Sequence, residues 1–343
     1  MMMKKLTLFT RYAANGASSR LRHGRWREFL ATLAYSVEVT PFFSENALNK
    51  FYADHRHPEK EVAAAYRRRL AALRQKTPYA VIEYEALPFF PAWLERLFLH
   101  KTRYILDFDD DVWTKYEKIP FLRGKFDALI CHAAGVTVAN HALREKVAPL
   151  NKEVLLLPTP IGSCALPQEK NPVFTLVWIG SGTTRELYLE PFAPVLRRLA
   201  EKLQYELLVI ADAPPALPGV PYRFEAWSEA TESLLDHCHV GIMPLADDAF
   251  ARGKSAYKLI QYLGAGLPAV ASPVGENRFV LREGETGFFA STAEEWCEKI
   301  IALATDKALY EKISFTTRFA AKDYTRDALW GNYRDFLRRV FEI

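Results

Sequence analysis

Two groups of residues in this chain have types and spacings that could do chemistry. The first is cationic. In "WIGSGTTREL" an apolar run ends at Gly180, Ser181 and Gly182, and a helical pattern opens near Thr184 with Thr183 placed to cap it. Glycines let a phosphate approach the backbone, and a helix start offers unpaired N–H groups and a positive dipole end. The spacing is neither the dinucleotide fingerprint nor a Walker loop, and a plain strand-to-helix turn would use the same residues. In "ARGKSAYKLIQYLGAG" a helix is predicted to begin near Ser255, with Arg252 and Lys254 at its start and Lys258 one turn on. Lys254 and Lys258 then share a face. Cations there oppose the helix dipole by ~0.3–1 kcal/mol each, a placement that a bound anion would justify. Three cations beside a second glycine-rich loop, Gly264-Ala265-Gly266, predict a phosphate site over a solvated face.

The second group is acidic. "YILDFDDDVW" sets Asp107, Asp109, Asp110 and Asp111 where an apolar strand ends. If the chain stays extended, Asp107, Asp109 and Asp111 share a face, and hard oxygens at that spacing suit Mg²⁺ or Mn²⁺. The alternative is that Asp109 to Asp111 cap and charge a helix around Val112 to Glu117. Two further stretches join them. In "ANGASSRLR", Gly16 permits a sharp turn, Ser18 or Ser19 can cap a helix, and Arg20 and Arg22 follow. In "VIEYEALPFF", Glu83 and Glu85 lie on one side of a strand end, where Glu85 could take a proton from a hydroxyl.

These residues need elements to hold them. The chain has 343 residues, half of them apolar and a quarter charged, enough for two domains with real cores. Strand-like runs at 6–10, 36–42, 79–84, 104–108, 128–131, 136–140 and 154–158 alternate with helical patterns at 18–34, 59–76 and 89–100. The second half repeats the scheme, with strands at 174–180, 205–211, 222–227, 240–245 and 268–272 and helices at 184–203, 229–238, 254–264 and 293–304. Near-continuous apolar strands between helices predict parallel sheets covered on both faces. The alternation is too long for one sheet, so it predicts two doubly wound α/β domains. The proline-rich "LPTPIGSCALPQEKNP" (157–172) reads as the linker between domains 1–160 and 161–325, and a final amphipathic helix runs from Tyr324 to Ile343.

Composition narrows the function. No window has the ~18 apolar residues of a membrane span, and the start lacks the apolar core of a secretory signal. Cys131, Cys164, Cys238 and Cys297 fit no zinc spacing and read as buried thiols of a reducing cytoplasm. Residues 1–160 hold 25 Lys+Arg against 17 Asp+Glu, whereas the remainder holds 20 against 24. The basic half, with "RLRHGRWR" and "RRR", would attract an anionic partner such as phospholipid headgroups or a phosphorylated acceptor. Aromatic-interleaved nucleic-acid motifs are absent, which argues against nucleic acid.

The segment "RGKSAYKLIQYLGAGLPAVASPVGENRFVLREGETGFF" resembles the donor-binding segment of GT-B glycosyltransferases, specifically the retaining family 4 group. The resemblance extends in order through "NGASSRLR", "VTVANHALREKV", "VLLLPTPI" and "VWIGSGTTRELYLEPF". It implies two Rossmann-like domains facing a central cleft, a nucleotide-sugar held mainly by the second, and a final helix (326–343) crossing back to the first. It assigns Lys254, Lys258 and Arg185 to the diphosphate, and Trp227 or Phe224 to the base. Gly16 and Ser18 would face the diphosphate and the transferred sugar, while Arg20 and Arg22 hold a phosphate on donor or acceptor. Two glutamates that the family often carries here correspond to Gly253 and Gln261; Gln261 can still bond a ribose hydroxyl. Together with Gly180, Ser181, Gly182, Thr183 and Arg252 these are the expected donor contacts. Asp107, Asp109 and Asp110 are expected to orient the acceptor or an arginine of the 20–27 segment. The implied reaction moves a sugar from a nucleotide diphosphate sugar to a hydroxyl of a saccharide or lipid-linked glycan, with retention and without metal or cofactor. The expected location is the cytoplasm, at the inner face of the membrane through the basic half. Two alternatives stand beside it. One is a GT-A enzyme using Asp107, Asp109 and Asp111 on a metal; the other is an inactive nucleotide-sugar-binding protein, favoured by Gly253 and Gln261.

Overall fold

The computed structural model describes residues 4–14, 16, 18–33, 35–54 and 59–342. Contacts divide the chain into two units, Met1–Pro160 with Arg326–Ile343, and Ile161–Thr325. Each is built on one six-stranded sheet in which every pairing is parallel.

In the first unit the strands are β1 (Lys4–Tyr12), β2 (Tyr35–Phe43), β3 (Tyr79–Glu83), β4 (Arg103–Phe108), β5 (Gly135–Val138) and β6 (Val154–Leu156). They lie in the order β2-β1-β3-β4-β5-β6. The central strands read as unbroken apolar runs because both faces are covered: Leu6, Leu8, Val81 and Ile105 are buried on one side and Phe9, Ile82 and Leu106 on the other. The final helix, Arg326–Phe341, supplies the cover on the first side with Tyr333, Phe336, Leu337, Val340 and Phe341. It approaches β5 so closely that a Cβ on Gly135 would stand 2.7 Å from the Phe336 ring.

The second unit has β7 (Thr175–Ile179), β8 (Glu206–Ala211), β9 (Tyr222–Ala226), β10 (Val240–Met243), β11 (Ala269–Ala271) and β12 (Gly287–Phe289), in the order β12-β11-β10-β7-β8-β9. In both sheets the strand order reverses once, between β1 and β3 and between β7 and β10. A doubly wound sheet opens a crevice at such a switch point, outside the carboxyl ends of the two strands. This places four loops at the two crevices: the turn at Gly16, the segment after Glu83, the turn at Gly180, and the stretch from Pro244 to Lys258.

Some local expectations change. Residues 128–131 are not a strand; they close the helix Lys125–Ile130, because four apolar residues carry no period that separates the two states. The short strand β12 and the helices Glu45–Asp54 and Lys307–Ala321 were not expected. The predicted helix at 254–264 begins only at Tyr257, after a separate turn Ala249–Arg252. Of the four thiols only Cys238 and Cys297 are buried; Cys131 is exposed. Ile343, the expected last residue of the final helix, lies outside the described residues.

Candidate functional site

At the switch point of the second sheet, the loop after β7 and the helix after β10 meet through one lysine. Lys258 stands in the first turn of the helix Tyr257–Gly264. Its ammonium lies 5.0 Å from the centroid of the Trp178 ring and 3.4 Å from the Thr184 hydroxyl. A Cβ on Gly180 would come 2.6 Å from Lys258 Cε and 2.7 Å from its Nζ, so a larger residue there would displace the end of the lysine. The turn itself runs helical from Gly182, with Ser181 extended at its N-cap. Thr183 is not the cap: it is exposed, and the bond that closes the turn runs from the Thr184 hydroxyl to the Ser181 carbonyl at 3.0 Å. A cation therefore stands beside the start of a helical turn, an arrangement suited to an oxyanion or phosphate.

The other expected donor residues are distributed differently. Lys254 is not on the helix with Lys258. It sits in the loop before Ala256, whose φ of 52° turns the chain into the helix, and its ammonium rests 4.2 Å over the Phe250 ring. Arg252 ends the preceding turn, exposed and paired with Asp247 at 2.6 Å. The predicted three-cation first turn is thus a single helical lysine with a second cation in the adjoining loop. Arg185 is withdrawn further. It is buried and donates to the carbonyls of Ala213 (2.7 Å) and Pro214 (2.8 Å), with Glu186 and Glu190 on its other nitrogens. Its geometry serves to fasten the loop after β8, which takes it away from the expected diphosphate role. Gly253 is buried, Gln261 is half-buried on the helix, and Trp227 leaves β9 half-buried with its backbone N–H on the Ala211 carbonyl at 2.8 Å. A Cβ on Gly275, whose φ is 52°, would stand 2.9 Å from the Arg252 carbonyl oxygen, so glycine lets the "SPVG" turn lie against the end of the Ala249–Arg252 turn.

The sequence reading missed Asp212. Its carboxylate would stand 2.9 Å from a Cβ on Gly182, at the end of β8 and beside the turn. The signal was present in "LLVIAD", a polar residue directly after a buried strand.

In the first unit the acidic run separates into three jobs. Asp107 is a buried anchor. Arg22 grips it with Nε at 2.6 Å and Nη2 at 2.7 Å, Thr137 donates to it, and His23 Nε2 lies at 3.3 Å. Burial opposes the charge on Asp107, but Arg22 and His23 outweigh it and hold the carboxyl below its usual range. Arg22 is thereby spent inside the fold, also donating to Leu157 O at 2.7 Å, so it is not the phosphate clamp expected of it. Asp111 makes a turn just before the helix Thr114–Glu117, accepting from Trp113 N at 3.0 Å and pairing with Lys146 at 2.7 Å, rather than capping the helix as expected. Asp109 accepts from the Tyr84 hydroxyl, and Asp110 beside it is half-buried. Among the described residues no three His, Cys, Asp or Glu side chains gather in a way that could hold a metal ion.

Ser18 and Ser19 do not cap. Their hydroxyls donate to Glu83 at 3.0 and 2.6 Å, and Arg11 N joins at 2.7 Å, so Glu83 ties the Gly16 turn to β3. The turn is tight: a Cβ on Gly16 would stand 2.3 Å from Tyr12 Cβ. Asn15 and Ala17 lie outside the described residues, and Arg20 is half-buried just beyond. Glu85 is buried with Lys115 and Lys125 at 2.6 Å each and the Tyr116 hydroxyl at 2.8 Å. Burial would raise its proton affinity, yet Lys125 and Lys115 prevail and hold it below the usual carboxylate range. A carboxylate so held is a poor base, which corrects the role expected of Glu85.

Asp109 is the opposite case. Burial, then the charges of Asp110 and Glu83, push its carboxyl up to about 7. The native state therefore holds a proton that the unfolded chain releases near pH 4, and stability falls as pH rises from about 4 to about 7. Asp109→Asn, which imitates the protonated form, is expected to stabilise the protein by roughly 1–2 kcal/mol at pH 8, allowing for partial solvent access, and little at pH 4. Urea titrations of both proteins at the two pH values measure this.

Two helix-covered parallel sheets with this strand order, and a glycine turn meeting a lysine at the second crevice, define the GT-B fold. That fold extends over the whole chain in solved structures. A glycosyltransferase from Rickettsia africae ESF-5 aligns with a TM-score of 0.66 at 12% identity, covering 99% of each chain. Sucrose-phosphate synthase from Thermosynechococcus elongatus aligns at 0.68 and 13% identity, again over 99% of each chain. Anabaena HepE, solved in complex with UDP, aligns at 0.64 and 13% identity over 98% of this chain and 99% of that one. No curated protein matches in sequence. Residues 165–306, within the second unit, match the family model for glycosyl transferases group 1.

Proposed function

We propose that the protein transfers a sugar from a nucleoside diphosphate sugar to a hydroxyl of a saccharide or lipid-linked glycan. The observation that carries this reading is the meeting of Lys258 with the Gly180–Thr184 turn at the switch point of the second sheet. Solved neighbours support the donor class: HepE has been seen with UDP-glucose, and a pneumococcal O-GlcNAc transferase, GtfA, with UDP and GlcNAc. UDP is accordingly the first nucleotide to test.

When the glycosidic bond to the donor breaks, negative charge grows on the departing diphosphate. Lys258 and the N–H groups of the turn are preorganised to meet it, and Lys254 is near enough in the chain to join them. Gln261, one turn beyond Lys258, is suited to the ribose. With cations in this role the reaction needs no metal, and the resemblance to retaining enzymes supports retention of configuration. The test is release of nucleoside diphosphate from a panel of nucleotide-sugars with a mixed saccharide acceptor in EDTA. Turnover with at least one donor is expected; activity that appears only on adding Mn²⁺ contradicts the metal-free reading. The second reading, a binding protein without turnover, has one observation in its favour: Gly253 and Gln261 stand where the family often carries glutamates. Tight nucleotide-sugar binding with no release would select it.

A further inference from the structure

The first unit exposes an apolar face that the transfer chemistry does not use. Trp93 and Leu97, one turn apart on the helix Ala92–Leu99, are 65% and 60% exposed. Phe89, just before the helix, is 55% exposed, and Phe121 in the turn Pro120–Leu122 is 70% exposed. The Phe89 ring packs 5.5 Å from that of Tyr116, which leads into the Phe121 turn, so the two stretches adjoin. The other side of the helix is already satisfied, with Leu94, Phe98 and Leu99 packed on the core. Apolar side chains therefore surround a surface helix that needs only one apolar stripe to fold. Phe89 is held outward by a backbone with φ of 60°, a conformation that aromatic residues rarely adopt.

The exposed charges of these two stretches are mostly positive. Arg96 and Lys101 are exposed on and after the helix, and Lys118 and Arg123 flank Phe121. Between residues 89 and 108 no carboxylate is exposed: Asp107 is buried, and Glu95, the one acid of the helix, is buried against Lys125 at 2.6 Å. Glu117 is the exposed acid in the stretch before Phe121. Tryptophan and phenylalanine inside a lysine and arginine rim are what the boundary of an anionic bilayer selects, with apolar groups entering the acyl edge and cations meeting headgroups. No helix among the described residues is long and apolar enough to cross a membrane, so the contact is with the surface.

We infer that the face formed by Phe89, Trp93, Leu97 and Phe121, with Arg96 and Lys101 at its rim, docks the protein on an anionic lipid surface. This goes beyond the transfer reading and does not depend on it. The test is sedimentation of the whole protein with vesicles of phosphatidylcholine alone or mixed with phosphatidylglycerol. The wild type is expected to bind the mixed vesicles, less so as salt rises. Trp93→Asp with Leu97→Asp should lower the partition coefficient by roughly a hundredfold, and Arg96→Ala with Lys101→Ala by roughly tenfold on anionic vesicles only. Thermal melts matching the wild type show that the variants fold. Equal partition to both vesicle types, or wild-type partition of the Trp93, Leu97 double variant, overturns the inference. So does a concentration-dependent dimer that this variant abolishes without any vesicle binding, which would make the face a protein interface. Nucleotide release in free solution is expected to be unchanged in these variants, so failure here and failure of the transfer reading are separable.

Discussion

Lys258→Ala is expected to slow sugar transfer by roughly a hundredfold to a thousandfold, with a smaller change in the Michaelis constant. Removing a preorganised group that meets developing charge costs ~3–4 kcal/mol of barrier. The leaving diphosphate is most charged near the transition state, so turnover should carry most of the loss. Binding gives a second readout. A hydrogen bond to a charged group is worth ~1.5–3 kcal/mol, so a nucleoside diphosphate should lose about tenfold to a hundredfold in affinity while the bare nucleoside loses little. Gly180→Ala should imitate part of this effect without touching the lysine, because its methyl would meet Lys258 Cε at 2.6 Å and push the ammonium aside. Steady-state kinetics and calorimetry on the two variants measure it. If Lys258 were a solvated surface cation, both variants would keep near-wild-type turnover.

Arg22→Ala should be among the most destabilising single changes in the first unit. It strips a bidentate partner from Asp107 in a site where the two side chains are 2% and 4% exposed. Breaking a buried pair by removing one member costs about 3–5 kcal/mol, because the other charge is left without compensation. The same pair predicts the pH response. Asp107 is held below its unfolded value, so its contribution is intact above about pH 4 and is lost as pH falls through the folded value. In urea titrations Arg22→Ala should lower the midpoint strongly at pH 7 and much less at pH 3. Asp107→Asn, which removes the charge itself, should be milder than Arg22→Ala at pH 7. Equal stabilities at pH 7 would mean that the pair is not formed in solution.

Much of the fold can be read directly in the sequence. Runs such as "ELLVIA" and "LTLFT" are apolar throughout because helices cover both faces of a parallel sheet, and that pattern distinguishes them from half-exposed strands. Where an element is short the pattern fails: "ALIC" suits a strand as well as the end of a helix. The helix that carries Lys258 starts later than expected, since the positive φ at Ala256 has no glycine to announce it.

The candidate site was legible as residue types but not as partners. Lys258 and Arg185 look alike in the sequence, each a cation near the expected start of a helix. Only the fold shows that one lies against Gly180 and the other faces the carbonyls of residues 213 and 214. The aspartate run posed the same difficulty. Its spacing allowed a metal, a cap or an anchor, and the choice depended on Arg22, 85 positions away in the chain. Ser18 and Ser19 were read as caps because local bonds are the ones a sequence displays, whereas Glu83 reaches them from another strand.

The most direct test of the donor site is hydrogen–deuterium exchange of the whole protein with and without UDP, in EDTA. Backbone amides that cradle a phosphate should become protected where they meet it. Protection is expected to concentrate at residues 180–186 and 253–262, and to disappear in Lys258→Ala at a UDP concentration that saturates the wild type. Protection centred on residues 105–113, or protection that appears only when Mn²⁺ replaces EDTA, would contradict a cationic donor site in the second unit.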